Sequence, residues 1–436
     1  MKNILHIACF LAFTQNAVFA QQSSFGVSLS GLEWNGTPKV PTAKELTYYS
    51  GKGLKLIRLP FLWERAQTTL GQPLDATYLA TLDNVVAAAS TAGVSIILDM
   101  HNYCRYPYNG TVINASGGPT IAQFASAWKL LATHFANQTT VWGYDLMNEP
   151  NTLGSGNHWF PMAQAAIDSI RLVDKNHVII VEGENWSHGN TWTTYNAITA
   201  NNLSALVDPN NNLVFEAHQY FDSNGSGSYS STSFSGNGVT TSTGVTLITP
   251  FVNWLKQHNF KGMVGEYGIP GNNATDQASW NTLLDNFLAY LQSNCVLGTY
   301  WAGGPGWTYL TNTICIEPSG TTDAPQMAIV QKYTSLSSSC PALTTDLSSG
   351  NLEEAGSSAV ISPNPFSDHA FVSLTQQNNA LLTIEIRNLT GTLLQTFQGN
   401  ASSEKIRIGS ELSAGIYVVQ ISQNGSRILT TKLIKN

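Results

Sequence analysis

Charge is scarce in this chain. Only 11% of its 436 residues are Asp, Glu, Lys or Arg, against about 25% in an average soluble protein. The 20 basic residues face 27 acidic ones, a formal charge of −7, and no basic run occurs anywhere. A field of that sign repels phosphate backbones, so nucleic acid is excluded as a partner. Long apolar runs are missing as well. Mean hydropathy is −0.06, and beyond the N-terminus no stretch approaches the ~20 apolar residues of a spanning helix. No Cys-x-x-Cys pair or histidine cluster suggests a zinc site.

What is abundant is apolar and aromatic. Hydrophobic residues make up 42% of the chain, with 11 Trp, 16 Tyr and 17 Phe. The core is therefore large, and the polar surface must be mostly Asn, Ser, Thr and Gln.

The first 20 residues read as an export leader: Lys2, an apolar run from Ile4 to Phe13, then Val18-Phe19-Ala20 before Gln21. Cys9 falls inside that run. The cysteines that remain are Cys104, Cys295, Cys315 and Cys340, an even number for an oxidising compartment. Three pairings are possible. Cys295 with Cys315 or with Cys340 is plausible, and the sequence does not choose.

From Phe25 to Tyr333, short β-branched runs alternate with longer amphipathic ones, the pattern of βα units around a parallel sheet. The strand candidates are Phe25 to Gly31, Leu54 to Pro60, Ser95 to His101, Val141 to Asn148, His177 to Gly183, Leu213 to Tyr220, Gly262 to Gly268 and Val296 to Gly303. Helices are expected over Ala76 to Ala92, Ile121 to Ala136, Pro161 to Val173, Pro250 to His258 and Asp276 to Gln292. Such a succession predicts an α/β fold, a (β/α)8 TIM barrel. A Ser/Gly-rich stretch follows, and then short alternating runs from Ala359 onward that predict a small all-β sandwich. The expected division is a leader at 1–20, the barrel at 21–336, a linker at 337–358 and the sandwich at 359–436.

Reactive groups of such a barrel sit where its strands end. The strand ends carry Arg58, His101-Asn102-Tyr103, Asn148-Glu149-Pro150, His218-Gln219-Tyr220, Glu266-Tyr267-Gly268 and Tyr300-Trp301. Two carboxylates across a cleft suit glycosidic bond cleavage, one donating a proton and the other ionised. Glu149 and Glu266 fit that requirement, and both roles need only side chains, with no metal or organic cofactor.

With these residues in this order, the chain from Phe25 to Tyr333 resembles glycoside hydrolase family 5, the cellulase family, whose Asn-Glu-Pro signature is Asn148-Glu149-Pro150 here. Tyr267 stands where Phe often follows the nucleophile. The resemblance implies that Glu149 is the acid/base and Glu266 the nucleophile of a retaining double displacement, with carboxyl groups about 5 to 5.5 Å apart. It also implies that Arg58 lies beside Glu266, that Tyr220 donates to it, that Asn148 meets the sugar 2-hydroxyl and that His218 sits near Glu149. His101 would bind sugar hydroxyls and Trp301 would floor the reacting subsite, with Trp34, Tyr103, Trp186 and Trp307 as further platforms. Leu98 to Tyr106, Gly117 to Thr120 and Val181 to Trp186 are most similar to the endo-β-1,4-glucanase branch. The implied substrate is a β-glucan polysaccharide such as cellulose, with a β-mannanase as the alternative and an inactive glycan-binding protein as the alternative of another class.

Ser362-Pro363-Asn364-Pro365-Phe366, Ala414 to Val418 and the closing lysines Lys432 and Lys435 resemble the type A sorting domain of the type IX secretion system. The rival, a carbohydrate-binding sandwich, usually presents a row of aromatics, and this segment has no Trp. The resemblance implies bacterial outer-membrane secretion machinery as a partner and a secreted or cell-surface enzyme. The protein is expected to act as a monomer.

Overall fold

The structure is a computed structural model that describes residues 25–271, 276–307, 313–336, 340, 359–374, 381–388, 392–400, 405–423 and 426–435. The expected leader lies outside the described residues, as does the expected linker apart from Cys340.

Eight parallel strands close into a barrel: β1 (Gly26–Leu29), β2 (Leu56–Phe61), β3 (Ser95–Met100), β4 (Val141–Asp145), β5 (Val178–Glu182), β6 (Leu213–His218), β7 (Lys261–Glu266) and β8 (Val296–Gly303). Their order around the ring is β1-β8-β7-β6-β5-β4-β3-β2. Almost every strand residue is buried, because one face fills the lumen and the other packs under helices; hence continuous apolar runs rather than alternation.

The main outer helices are α1 (Ala43–Gly51), α2 (Ala76–Ala92), α3 (Ile121–Phe135), α4 (Trp159–Arg171), α5 (Thr243–His258) and α6 (Gln277–Ser293). Their ends are set locally. Asp75 caps α2 by accepting from Tyr78 N–H, and Gly93 closes it in the left-handed region at φ +69°. On α3, Phe124, Ala127, Trp128, Leu131 and Phe135 form the buried stripe. Two helices depart from the sequence expectation. Helix α1 is not among the segments named from the sequence; its apolar stripe is short, and its signal is the capping box between Thr42 and Glu45. Helix α5 begins at Thr243 rather than Pro250, because Gly244 and Ile248 pack into the core and extend the helix upstream of the proline.

The disulfide joins Cys295 to Cys340, with Cα atoms 5.4 Å apart, and ties the start of β8 to the chain beyond the barrel's last turn. Cys104 and Cys315 are free and buried, which corrects the expectation of a fully paired set. Trp63, Trp128, Trp142, Trp254 and Trp280 are core residues on helices and strands.

The C-terminal strands are β9 (Ala359–Ser362), β10 (Ala370–Leu374), β11 (Leu381–Arg387), β12 (Leu393–Asn400), β13 (Ile406–Ile408), β14 (Gly415–Gln423) and β15 (Ser426–Lys435). They form antiparallel sheets β9-β10-β13 and β12-β11-β14-β15. Val372 and Ile408 of one sheet share a core with Ile384, Ile386, Val419, Ile421 and Leu433 of the other, the arrangement of a sandwich. Among the described residues, no helix is long and apolar enough to cross a membrane.

Candidate active site

Two local backbone features aim the carboxylates. After β4 the chain turns sharply: Asn148 N–H donates to Met100 O at 2.9 Å, Tyr103 N–H donates to Asn148 O at 3.1 Å, and Glu149 adopts φ +44°. That left-handed conformation is uncommon for a residue with a side chain and persists only where surrounding bonds hold it. On β7 the pairing with β6 slips by one residue between Ala217 and His218, so that His218 lies opposite Glu266. A bulge of this kind re-aims the side chain that follows it.

The side chains then meet. Glu266 accepts from Arg58 Nη1 at 3.0 Å and from the Tyr220 hydroxyl at 2.7 Å. Glu149 Oε1 lies 2.8 Å from Nδ1 of His218, and the same nitrogen is 3.6 Å from Glu266 Oε2. Ligand atoms of Glu149, His218 and Glu266 all lie within 4.8 Å of one another. Asn148 Oδ1 accepts from Arg58 Nη2 at 2.8 Å, while its buried Nδ2 has no partner among the described residues.

The two carboxyls titrate in opposite directions. Burial raises Glu149, and Glu266 adds to the rise, against the hydrogen bond and charge of His218. Burial would raise Glu266 too, but His218, Arg58 and His101, with the Tyr220 hydrogen bond, outweigh it and hold that carboxyl below its ordinary range. The environment therefore favours the proton on Glu149 over Glu266. Such a pair can give a proton to one atom while attacking, or stabilising positive charge on, its neighbour.

Beneath the rim lies a layer of charge that the strand-end reading did not find. Arg58 is wholly buried and lies within 3.1 Å of carboxylate oxygens from Asp99, Asp145, Glu182, Glu216 and Glu266. Strands β3 to β6 each point one acid inward. Asp99 pairs in register with Asp145, and Glu182 with Glu216. So many acids cannot all ionise around one cation. Burial, then Glu216 and Glu182, push Asp145 well above the carboxylate range, and burial pushes Glu182 up to about 7 against the pull of His218. Room for Glu216 comes from Gly265, where an added Cβ would sit 1.4 Å from Glu216 Oε1.

The aromatic candidates divide around the rim. The His101 ring stacks on Trp301 with centroids 5.4 Å apart and planes 10° apart; its Nδ1 lies 2.7 Å from Asp99 Oδ2 and its Nε2 3.3 Å from the Tyr103 hydroxyl. Trp307 stands edge-on to Trp301 at 5.5 Å. A cavity of about 910 Å³ opens from Glu149 and His218 past Tyr103, Tyr220 and Trp186. Trp186 is 43% exposed on a turn whose three successive residues Asn185, Trp186 and Ser187 all have positive φ. Trp34 does not line that cavity. It lies in the loop after β1, 37% exposed, with the Lys39 ammonium 4.5 Å from its ring centroid.

Glu149, His218 and Glu266, or Glu182, Glu216 and His218, are spaced closely enough to ligate a cation. Glu266 in the first trio and both carboxylates of the second already bond Arg58, so a divalent ion would compete with a permanent guanidinium for the same lone pairs.

Similarity to known proteins covers both parts of the chain. The model of the cellulase family (glycosyl hydrolase family 5) matches residues 15–306, and that of a secretion system C-terminal sorting domain matches residues 360–436. Endoglucanase 3 of Humicola insolens is 34% identical over 279 residues, which are 63% of this chain and 66% of that protein. The probable endo-beta-1,4-glucanase B of Neosartorya fischeri is 33% identical over 299 residues, 67% of this chain and 83% of that one. The crystal structure of Pseudomonas stutzeri endoglucanase Cel5A in complex with cellobiose superposes with a TM-score of 0.66 at 37% identity, covering 74% of this chain and 95% of that one.

Proposed function

The chain belongs to the cellulase family, glycosyl hydrolase family 5, and on that premise we propose that it is a secreted endo-β-1,4-glucanase that hydrolyses cellulose and related β-glucans with retention of configuration. One observation carries the reading: Glu149 and Glu266, drawn together around His218, titrate in opposite directions. Retaining enzymes hold their carboxyls about 5 to 5.5 Å apart, whereas inverting ones leave about 6.5 to 9.5 Å for a water. The closeness of these oxygens supports the retaining class.

In the first step the Glu149 carboxyl gives its proton to the glycosidic oxygen as the bond from that oxygen to the anomeric carbon breaks. Glu266 forms a new bond to the same carbon from the opposite face. In the second step Glu149, now a carboxylate, takes a proton from water, and the water oxygen displaces Glu266. Arg58 and Tyr220 keep Glu266 ionised and oriented between steps. The free Nδ2 of Asn148 is a donor for the sugar 2-hydroxyl, a bond that strengthens as the ring gains positive charge. Trp301 offers an apolar face to the reacting sugar, and His101 a polar edge beside it. Trp186 and Tyr103 suit sugars on the leaving-group side, and Trp34 suits sugars on the far side.

The C-terminal sandwich belongs to the secretion sorting domains, which supports delivery through a bacterial outer membrane to the medium or cell surface. On this reading the working enzyme is 21–336, joined through 337–358 to a sorting module at 359–436.

The test is sugar-chain cleavage by the full chain lacking its leader, on carboxymethyl cellulose, mixed-linkage β-glucan, glucomannan, mannan and laminarin in parallel. Proton NMR of the first product would read its anomeric configuration. Fastest release from carboxymethyl cellulose and mixed-linkage glucan, with β-product first, is expected. Release led by mannan or laminarin would replace the substrate, α-product would overturn the double displacement, and silence on all five would leave a glycan-binding protein.

A further inference from the structure

Behind Glu149 stands a side chain with no part in the chemistry proposed above. Glu182, the last residue of β5, is wholly buried. Its Oε2 accepts the main-chain N–H of Glu149 at 2.7 Å. Its Oε1 lies 2.8 Å from Arg58 Nη2 and 3.3 Å from His218 Nε2. The other ring nitrogen of that histidine meets the Glu149 carboxyl at 2.8 Å. Glu182 therefore reaches Glu149 by two routes, one through the backbone and one through an imidazole.

We infer that Glu182 is a positioning residue for the acid/base group: it pins Glu149 in its left-handed turn and, by accepting the Nε2 proton of His218, keeps the Nδ1 proton aimed at Glu149 Oε1. The inference rests on the reading of Glu149 as the acid/base. With Oε1 occupied by the Nδ1 proton, the transferable proton resides on Oε2, the oxygen left for the leaving group. When that proton departs, the new Glu149 carboxylate keeps the His218 donor, and the charge on His218 is balanced by Glu182 once that group is ionised, above its pKa of about 7. No proton moves at Glu182 itself.

Other groups face the same histidine. Glu216 from β6 lies 3.3 Å from Nε2, and Glu266 from β7 lies 3.6 Å from Nδ1. His188, in the loop after β5, lies beside it and acts on it through charge, and Asp99 from β3 acts on it from across the lumen. Glu182 differs from all of them in also holding the Glu149 backbone. Burial works against a charged His218, but the carboxylates around it, Glu182 first, hold its pKa well above the ordinary histidine value, as expected for a ring donating from both nitrogens.

The test compares leaving groups. A cello-oligosaccharide needs the acid to leave, whereas 2,4-dinitrophenolate leaves unaided, so a fault in proton delivery appears with the first substrate and not the second. For Glu182→Gln, kcat/KM on cellotetraose should fall at least ~10-fold and on 2,4-dinitrophenyl β-cellobioside less than ~3-fold. Equal losses, or none, overturn the inference. Glu149→Ala is run on the same pair: if it shows no split, the acid/base reading itself fails, whereas a split there and none in Glu182→Gln removes only the role of Glu182. If Glu182→Gln does not fold, nitrogen-15 NMR of the unsubstituted chain decides. His218 protonated on both ring nitrogens at pH 8, where an ordinary histidine is neutral, supports the inference, and a neutral ring overturns it.

Discussion

The Tyr220 hydroxyl donates to Oε2 of Glu266 at 2.7 Å, inside a site where that carboxylate is only 5% exposed. A hydrogen bond to a buried charge stabilises the charged form by about 1.5 to 3 kcal/mol, so it contributes to the low pKa of Glu266. Removing it in Tyr220→Phe should raise that pKa and move the acidic limb of the kcat/KM profile to higher pH. The expected loss at the optimum is roughly 10- to 100-fold. An unmoved acidic limb would show that the hydroxyl has no part in holding Glu266 ionised.

Glu266→Gln keeps the shape of the nucleophile and removes its charge. Turnover should fall by at least ~10³-fold on every substrate, activated aryl glycosides included, because no covalent intermediate can form. Calorimetric binding of cellopentaose should survive within about an order of magnitude, since most sugar contacts lie elsewhere. Activity equal to the parent would remove Glu266 from the mechanism.

Gly265 is required for space. A Cβ there would overlap the Glu216 carboxyl at 1.4 Å, and overpacking in a closed layer costs about 1 to 3 kcal/mol or more. Gly265→Ala should lower the urea midpoint of the barrel and reduce activity as Arg58 is displaced. Every Trp lies between positions 34 and 307, so tryptophan fluorescence reports the barrel alone.

The buried layer also fixes the sign of the pH dependence of stability. Glu182 titrates at about 7 in the fold against an ordinary 4.5, so between those values the native state binds more protons than the unfolded one and stability falls as pH rises. His218, raised above its ordinary 6.5, extends the fall to higher pH. Glu266 and Asp99, both lowered, act oppositely and lose their contribution as pH drops through their folded pKa values. The urea midpoint should be higher near pH 5 than at pH 8, and Glu182→Gln should flatten the decline. A midpoint that rises from pH 5 to pH 8 would contradict the arrangement.

The Cys295–Cys340 bridge closes a span of 45 residues, for which chain entropy gives up to about 4 kcal/mol of stabilisation. Cys340→Ser should lower barrel stability toward that amount. In the leaderless parent, thiol titration should find two groups, from Cys104 and Cys315, and only after unfolding, since both are buried. Four reactive thiols would mean the bridge is absent.

The rim was legible in the sequence for a simple reason. Residues ending a strand are exempt from the apolar requirement of a doubly buried run, so Arg58, His101, Glu149, His218, Tyr220 and Glu266 stood out. Asp99, Asp145, Glu182 and Glu216 were visible too, each a charge interrupting a run such as Val178-Ile179-Ile180-Val181-Glu182. Their direction was not. Whether a strand residue enters the lumen or faces the helices depends on register, which pairs Asp99 with Asp145 and Glu182 with Glu216 only once the barrel has closed. The same limit applied to the cysteines, whose pairing needs distances that spacing alone does not supply.

Arg58 meets acids from five different strands, and this gives the lumen a collective character. Replacing any one of those acids by a neutral residue redistributes protons among the remaining four around the same guanidinium. The lumen thus behaves as one polyprotic group, whose protons belong to the whole set and not to any single side chain.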